Sequence, residues 1–190
     1  MRITVKNDRE YPWFIKPFFW LQKLNYGQVL LPGKCWGRSP RLFAAVATLY
    51  GVINRKHSPV SPVLRSLVTV RVSQINHCNF CIDINSMTLA RRAGSTEKVE
   101  ALHGWRESPL FDEQERAVLD YAEAMTDSTR TVTDEQVSLL RRWFDDDGLV
   151  ELTGLVAFQN MSAKFNAALD VPSQGFCAVP PHRGYAGPST

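Results

Sequence analysis

Only one stretch of this 190-residue chain alternates as a strand would, with Val68, Val70 and Val72 interleaved by Thr69, Arg71 and Ser73. No second or third stretch does the same, and a strand without partners is not stable alone. Every other segment with a hydrophobic period repeats at helical spacing. The chain is therefore expected to be all-α, with residues 64–75 helical against their local propensity.

The helices carry their own start signals. Ser39 with Pro40 is an N-cap followed by proline at the first helical position, and the stripe Phe43, Val46, Ala47, Tyr50 and Ile53 carries that helix to about Asn54. Thr96 is placed to cap a short helix through His103. Asp112 with Glu115, and Thr133 with Gln136, have capping-box spacing. Asp145 to Asp147 put negative charge at the start of a last helix that runs to about Leu169. That helix is apolar on most sides and reads as central.

A chain of this length can bury a full core in one domain, and 44% hydrophobic with 22% charged residues is an ordinary globular balance. No run approaches the roughly 20 apolar residues of a membrane span. The best candidate, Trp13 to Leu31, is broken by Lys16, Pro17, Lys23 and Gly27. Met1 to Glu10 is polar and unlike an export signal, so a cytoplasmic protein is expected. Residues 1–57 hold ten Lys/Arg against two Asp/Glu, a net +8, and the remainder carries −5. The basic residues are scattered singly, which argues against a nucleic-acid surface and for docking on acidic helices of the same chain or of a partner subunit. Three regions follow. Residues 1–36 form an aromatic-rich segment (Trp13, Phe14, Phe18, Phe19, Trp20, Tyr26, Trp36), expected to pack over the helical core or across a subunit interface rather than on a membrane. Residues 37–170 form the helical domain, and 171–190, rich in proline and glycine, read as a loose arm.

The chemistry concentrates at Cys78-Asn79-Phe80-Cys81, just before a helical pattern that ends at Ala93-Gly94. A cysteine pair at a helix start closes a small disulfide, and the free N–H groups there favour thiolate. As a strand leading into C-x-x-C, residues 68–73 would make a thioredoxin-like unit, but the sheet for it is missing. Zinc would need ligands that the spacing of His77, His103, Cys35 and Cys177 does not supply. Two inert buried thiols are a further alternative. A redox pair is the leading reading. Cys35 and Cys177 sit alone in aromatic-flanked stretches and read as packed thiols.

The run Leu64-Arg65-Ser66-Leu67-Val68 through Gln74-Ile75-Asn76-His77-Cys78-Asn79-Phe80-Cys81-Ile82-Asp83 resembles the carboxymuconolactone decarboxylase/alkylhydroperoxidase D superfamily. Ala90 to Gly94, Trp105 to Pro109, Glu151-Leu152-Thr153 and Asn160 fit its peroxidase-related branch. The resemblance covers roughly residues 40–172 and implies an alkylhydroperoxidase D-like helical bundle, usually assembled as a homo-oligomer. It also implies a cofactor-free, metal-free hydroperoxide reductase served by a thiol or dithiol reductant. By position, Cys81 is the thiol that attacks the peroxide, and Cys78 is the proton donor and resolving thiol.

The family's proton relay is a Glu twelve residues before the first Cys and a His four after the second; here those positions are Ser66 and Asn85. Phe80 stands where some members have His. Neither replacement exchanges a proton near neutrality, so weak turnover is expected. Cys78, Cys81 and Asn85 share one helical face, which is expected to place Asn85 on a sulfur. His77 reads equally as a substitute base or as a turn residue where related sequences have Gly. The alternative from another class is a non-catalytic or redox-sensing oligomer of the same fold. Lactone decarboxylation ranks last, because that branch generally lacks this cysteine pair.

Overall fold

The computed structural model describes residues 1–177, and these contain nine α-helices, two short 3₁₀ turns and no strand. The helices are α1 (Lys16–Tyr26), α2 (Leu31–Gly37), α3 (Pro40–Ile53), α4 (Pro62–Ile75), α5 (Asn79–Ala93), α6 (Glu97–Ala101), α7 (Glu113–Thr126), α8 (Asp134–Leu140) and α9 (Asp146–Ala168).

The stretch that alternates like a strand is the second half of α4, the most enveloped helix of the bundle. It packs on α5, α7 and α9 at once. Its alternation has a physical origin: a helix surrounded on all sides buries residues of every type. Val68, Val70 and Val72 are fully buried, Arg71 and Ser73 are buried beside them, and Thr69 is half-buried. The Arg71 Nε–H donates to Glu123 at 2.6 Å, and the Ser73 hydroxyl donates to the Thr69 carbonyl. Ser61 caps the helix by accepting the Leu64 N–H, with Pro62 at the first position. The sequence places α9 at the centre instead. That helix does touch α3, α4, α5 and α7, but it leaves Val150 71% exposed, so the centre belongs to α4.

The caps at Asp112, Thr133 and Asp145 accept the expected backbone N–H groups, the first two as full capping boxes. Ser39 and Thr96 precede their helices without a side-chain cap bond. Leu67, Leu89, Leu119, Leu152 and Val156 are fully buried where α4, α5, α7 and α9 meet. Burial at this level is worth about 1.5–3 kcal/mol for each such side chain. Glu123 of α7, buried, gathers Arg71, the Trp105 indole N–H, Arg106 and Arg130, which ties α7 to α4 through charge as well as packing.

Residues 1–36 fold back onto this bundle. The Arg2 N–H donates to the Leu169 carbonyl at 2.8 Å, extending the end of α9. Tyr11, Ile15 and Phe19 are buried against Phe43, and Trp36 stacks on Phe165 of α9. Gly37 allows this approach, since a Cβ there would meet the Tyr11 ring at 3.0 Å. The outer side of α1 keeps Trp20, Leu21 and Leu24 exposed.

The sequence reads a loose arm from Val171 onward. Residues 171–177 are non-helical but anchored: Val171 is buried, and Asp83 of α5 accepts the N–H groups of Gln174, Gly175 and Cys177 and the Ser173 hydroxyl. Burial alone would raise the Asp83 carboxyl, but bonds from Cys177, Ser173, Phe176 and Gln174 outweigh it and hold the group below the usual carboxylate range. The rest of the arm, 178–190, lies outside the described residues.

Candidate functional site

The turn between α4 and α5 builds the site. The His77 N–H donates to the Gln74 carbonyl and the Cys78 N–H to the Ser73 carbonyl, which together close α4 as a Schellman motif. That motif needs a left-handed residue at its centre, and His77 supplies it with φ of 52°. Its side chain is exposed. Cys78 is then the N-cap of α5, its sulfur accepting the Cys81 N–H at 3.2 Å. One turn on, Cys81 lies close enough to be joined to Cys78 by a disulfide, with Cα atoms 5.2 Å apart. Both sulfurs belong to buried residues, in a cluster that includes Phe80, Cys35 and Ala163.

The two cysteines differ in what they face. Cys81 lines a cavity of about 630 Å³ walled by α1, α2, α3, α4, α5 and α9, and Cys78 does not. Ser66 and Asn85 line it too, whereas His77 does not. The Ser66 hydroxyl accepts a bond from Arg92 at 2.9 Å.

Asn85 corrects one expectation. Its amide N–H groups go to the Ser73 hydroxyl at 3.3 Å and the Thr69 carbonyl at 3.5 Å, not to a sulfur. The group that touches sulfur is Asn166 of α9, whose Nδ2–H donates to the Cys81 Sγ at 3.3 Å. Gln159, two helical turns earlier on the same face, donates to Ser73 at 2.9 Å. The two residues are the buried polar side chains of α9, but Asn160, Ser162 and Lys164 stand between them, so no local pattern in the sequence singles them out. Arg65 and Arg92, quoted above only as part of the resemblance, also reach the cavity wall.

The remaining thiols are free. Cys35 is buried, and burial pushes its thiol up. Cys177 is half-buried and contributes its N–H to Asp83. Among the described residues, no three His, Cys, Asp or Glu side chains stand together as a metal ligand set. None of the described helices is long and apolar enough to cross a membrane.

Residues 40–124 match the sequence pattern of the carboxymuconolactone decarboxylase family. A solved alkylhydroperoxidase AhpD core, an uncharacterized peroxidase-related protein from Ralstonia eutropha JMP134, superposes with a TM-score of 0.82 over 92% of this chain and 93% of its own, at 18% identity. The chain belongs to the carboxymuconolactone decarboxylase family and has the fold of the alkylhydroperoxidase AhpD core. It is 46% identical to the uncharacterized protein YnjA of Escherichia coli K12 over 172 residues, which is 90% of this chain and 94% of that one. The debrominase Bmp8 shares the fold with a TM-score of 0.80 at 22% identity, covering 92% of each chain.

The residues that carry the sequence resemblance outside the cysteine motif do structural work. Glu151 forms a two-bond pair with Arg55, Thr153 bonds Tyr121, and Asn160 bridges Asn76 to Thr126.

Proposed function

We propose that the protein is a thiol-dependent hydroperoxide reductase of low turnover, working through Cys78 and Cys81 in a reducing cytoplasm. The observation that carries this reading is that Cys81 opens on the cavity while Cys78 sits behind it, within disulfide reach. In the dithiol form, the Cys81 thiolate attacks the terminal peroxide oxygen. The O–O bond breaks, the Cys78 thiol gives its proton to the departing alkoxide, and an alcohol leaves. Cys81 is then a sulfenic acid. The Cys78 thiolate attacks its sulfur, the S–O bond breaks, and hydroxide leaves to become water. An external thiol or dithiol reduces the disulfide and restores the pair.

The α5 N-terminus and the Asn166 N–H supply the hydrogen bonds that favour a sulfur anion. Ser66 and Asn85 supply no group that titrates near neutrality, so protons move slowly and turnover is low. The same pair without turnover would act as a redox sensor. Assembly into a homo-oligomer through the exposed face of α1, where Trp20 and Leu24 stand, belongs to the same proposal.

The test is sulfenic-acid trapping with intact-mass measurement after one equivalent of hydroperoxide. Cys81→Ser should abolish trapping, and Cys78→Ser should let the sulfenic acid accumulate. Identical reactivity of wild type and both variants would refute the assignment. Oxidation in a single round, with no reductant-dependent cycling, would select the sensor reading.

A further inference from the structure

The cavity beside Cys81 is far larger than hydrogen peroxide requires, and its chemistry is lopsided. Aromatic rings such as Trp36, Phe43, Tyr50 and Phe158 form much of its wall. Three arginines, Arg65, Arg91 and Arg92, reach it, and among the described residues no Asp or Glu does. Glu151, the carboxylate nearest this group in the chain of contacts, is already held by both Nη atoms of Arg55.

Arg65 is the unusual member. It is 5% exposed, its Nη1 donates to the Ile53 and Arg55 carbonyls, and its Nε has no partner. Buried charges are ordinarily paired with an opposite charge. Burial, then the charges of Arg92 and Arg55, pull the Arg65 guanidinium below its ordinary affinity for a proton. The charge of Glu151 reaches Arg65 but is outweighed, and the hydrogen bonds of Arg65 go to carbonyls rather than to a carboxylate.

Helix α5 ties this charge to the reactive sulfur. Cys81, Asn85, Thr88 and Arg92 recur at helical spacing and all line the cavity, so one face of α5 runs along its wall. Eleven residues at 1.5 Å each put the Cys81 and Arg92 backbones about 16 Å apart. A small peroxide cannot touch both ends of that wall.

We propose that the cavity takes an amphipathic organic anion, with Arg65 and Arg92 receiving its carboxylate and the aromatic wall its hydrocarbon body. The peroxide reduced at Cys81 is then the hydroperoxide of a carboxylic acid with a long apolar chain. The reactive end of this assignment rests on the peroxidase reading above. The anion-binding end does not.

Calorimetric titration of the disulfide form, which cannot react with peroxide, with decanoate and with decanol isolates the anion-binding end. Decanoate should bind at least tenfold tighter than decanol. Arg92→Gln should remove most of that preference, and Arg92→Lys should keep more of it. Because Arg92 also bonds Ser66 and the Pro62 carbonyl, Thr88→Glu provides an independent variant: a carboxylate placed on the same wall should abolish the preference with all arginines intact. Equal binding of the two probes, no binding of either, or a preference untouched by Arg92→Gln and Thr88→Glu would overturn the proposal. In a parallel arm the dithiol form meets linoleic acid hydroperoxide and its methyl ester. Faster oxidation by the acid supports the assignment, and equal rates count against it. If neither peroxide oxidises the pair while decanoate still binds selectively, the peroxidase reading fails and the anion site stands.

Discussion

The Asn166 amide on α9 reaches across to the Cys81 sulfur on α5 at 3.3 Å, while its own Oδ1 is buried without a partner. An amide held this way spends its hydrogen-bonding capacity on one atom, the sulfur that faces the cavity. Residue 166 is thus a positioning group for the thiol, and it comes from a different part of the chain than the cysteine motif.

Replacing Asn166 with Leu separates its two roles. One bond to sulfur is lost, but so is a buried unpaired oxygen, so stability should change by no more than about 1 kcal/mol. The thiolate loses its donor, and a bond of about 1–1.5 kcal/mol corresponds to roughly tenfold in rate. Stopped-flow oxidation of the dithiol form should slow by about that factor, with the pH profile of Cys81 alkylation moved to higher pH. A large fall in melting temperature without a change in that profile would assign Asn166 to packing alone.

The backbone geometry at His77 fits its reading as a turn residue. It holds φ of 52° at the centre of the Schellman motif, where a side chain costs about 1–2 kcal/mol relative to glycine. His77→Gly should therefore stabilise the fold by about 1 kcal/mol, measured by urea unfolding. Its exposure and its place outside the cavity lining lead to an unchanged rate of peroxide oxidation. A fall in that rate together with the gain in stability would restore the base reading.

Glu123 sets an acid limit on stability. Burial alone would raise its carboxyl, but Arg106, the Trp105 N–H and Arg71 outweigh that and hold it below the ordinary 4.5. A carboxyl depressed in the folded state contributes its full stabilisation above pH 4.5 and loses it as pH falls through the lower folded-state value. Urea midpoints should decline on that side more steeply for wild type than for Glu123→Gln. At neutral pH the same variant, which leaves Arg71 buried without its charge partner, should lose about 3–5 kcal/mol. Parallel acid profiles would show that Glu123 titrates alike in both states.

Local signals made much of the fold legible. The capping boxes at Asp112 and Thr133, the acidic start of α9 and the glycine after Ala93 each act within one turn of their own position, and each stands where the spacing places it. Helix α4 was readable by elimination and by the family resemblance, not by its period, because its alternation reflects burial within the bundle rather than a pleat. The site divides the same way. Cys78 and Cys81 are a local pair, and Ser66 and Asn85 reach the cavity as their positions imply. Asn166 lies 85 residues from Cys81, and no local pattern records which amide a folded bundle will bring to a sulfur. Arg65 was in plain view beside Ser66, but its burial without a carboxylate partner, with Nε unbonded, depends on the whole chain.

The substituted relay yields the most demanding prediction. Ser66 and Asn85 both line the cavity with Cys81, so Glu and His at those positions would face the same cavity as the reactive sulfur. Positioned acid–base groups contribute about 10²–10⁴-fold, which bounds the gain available to Ser66→Glu combined with Asn85→His. The surroundings hold the gain to the low end. Arg92 donates to the Ser66 hydroxyl at 2.9 Å, and a carboxylate placed there would be kept ionised by Arg92 and its neighbour Arg65. Such a carboxylate accepts a proton reluctantly. Asn85 is also a donor to Ser73 and Thr69, and histidine would have to give up one of those bonds to turn toward sulfur. Steady-state reduction of an organic hydroperoxide with a dithiol reductant should therefore rise by about 10²-fold in the double variant. Adding Arg92→Gln should raise it further by freeing the carboxylate to exchange its proton, while weakening any preference for anionic peroxides. If the double variant gains nothing with its fold and its thiol oxidation intact, proton transfer is not what limits this protein, and reduction of the Cys78–Cys81 disulfide takes its place as the slow step.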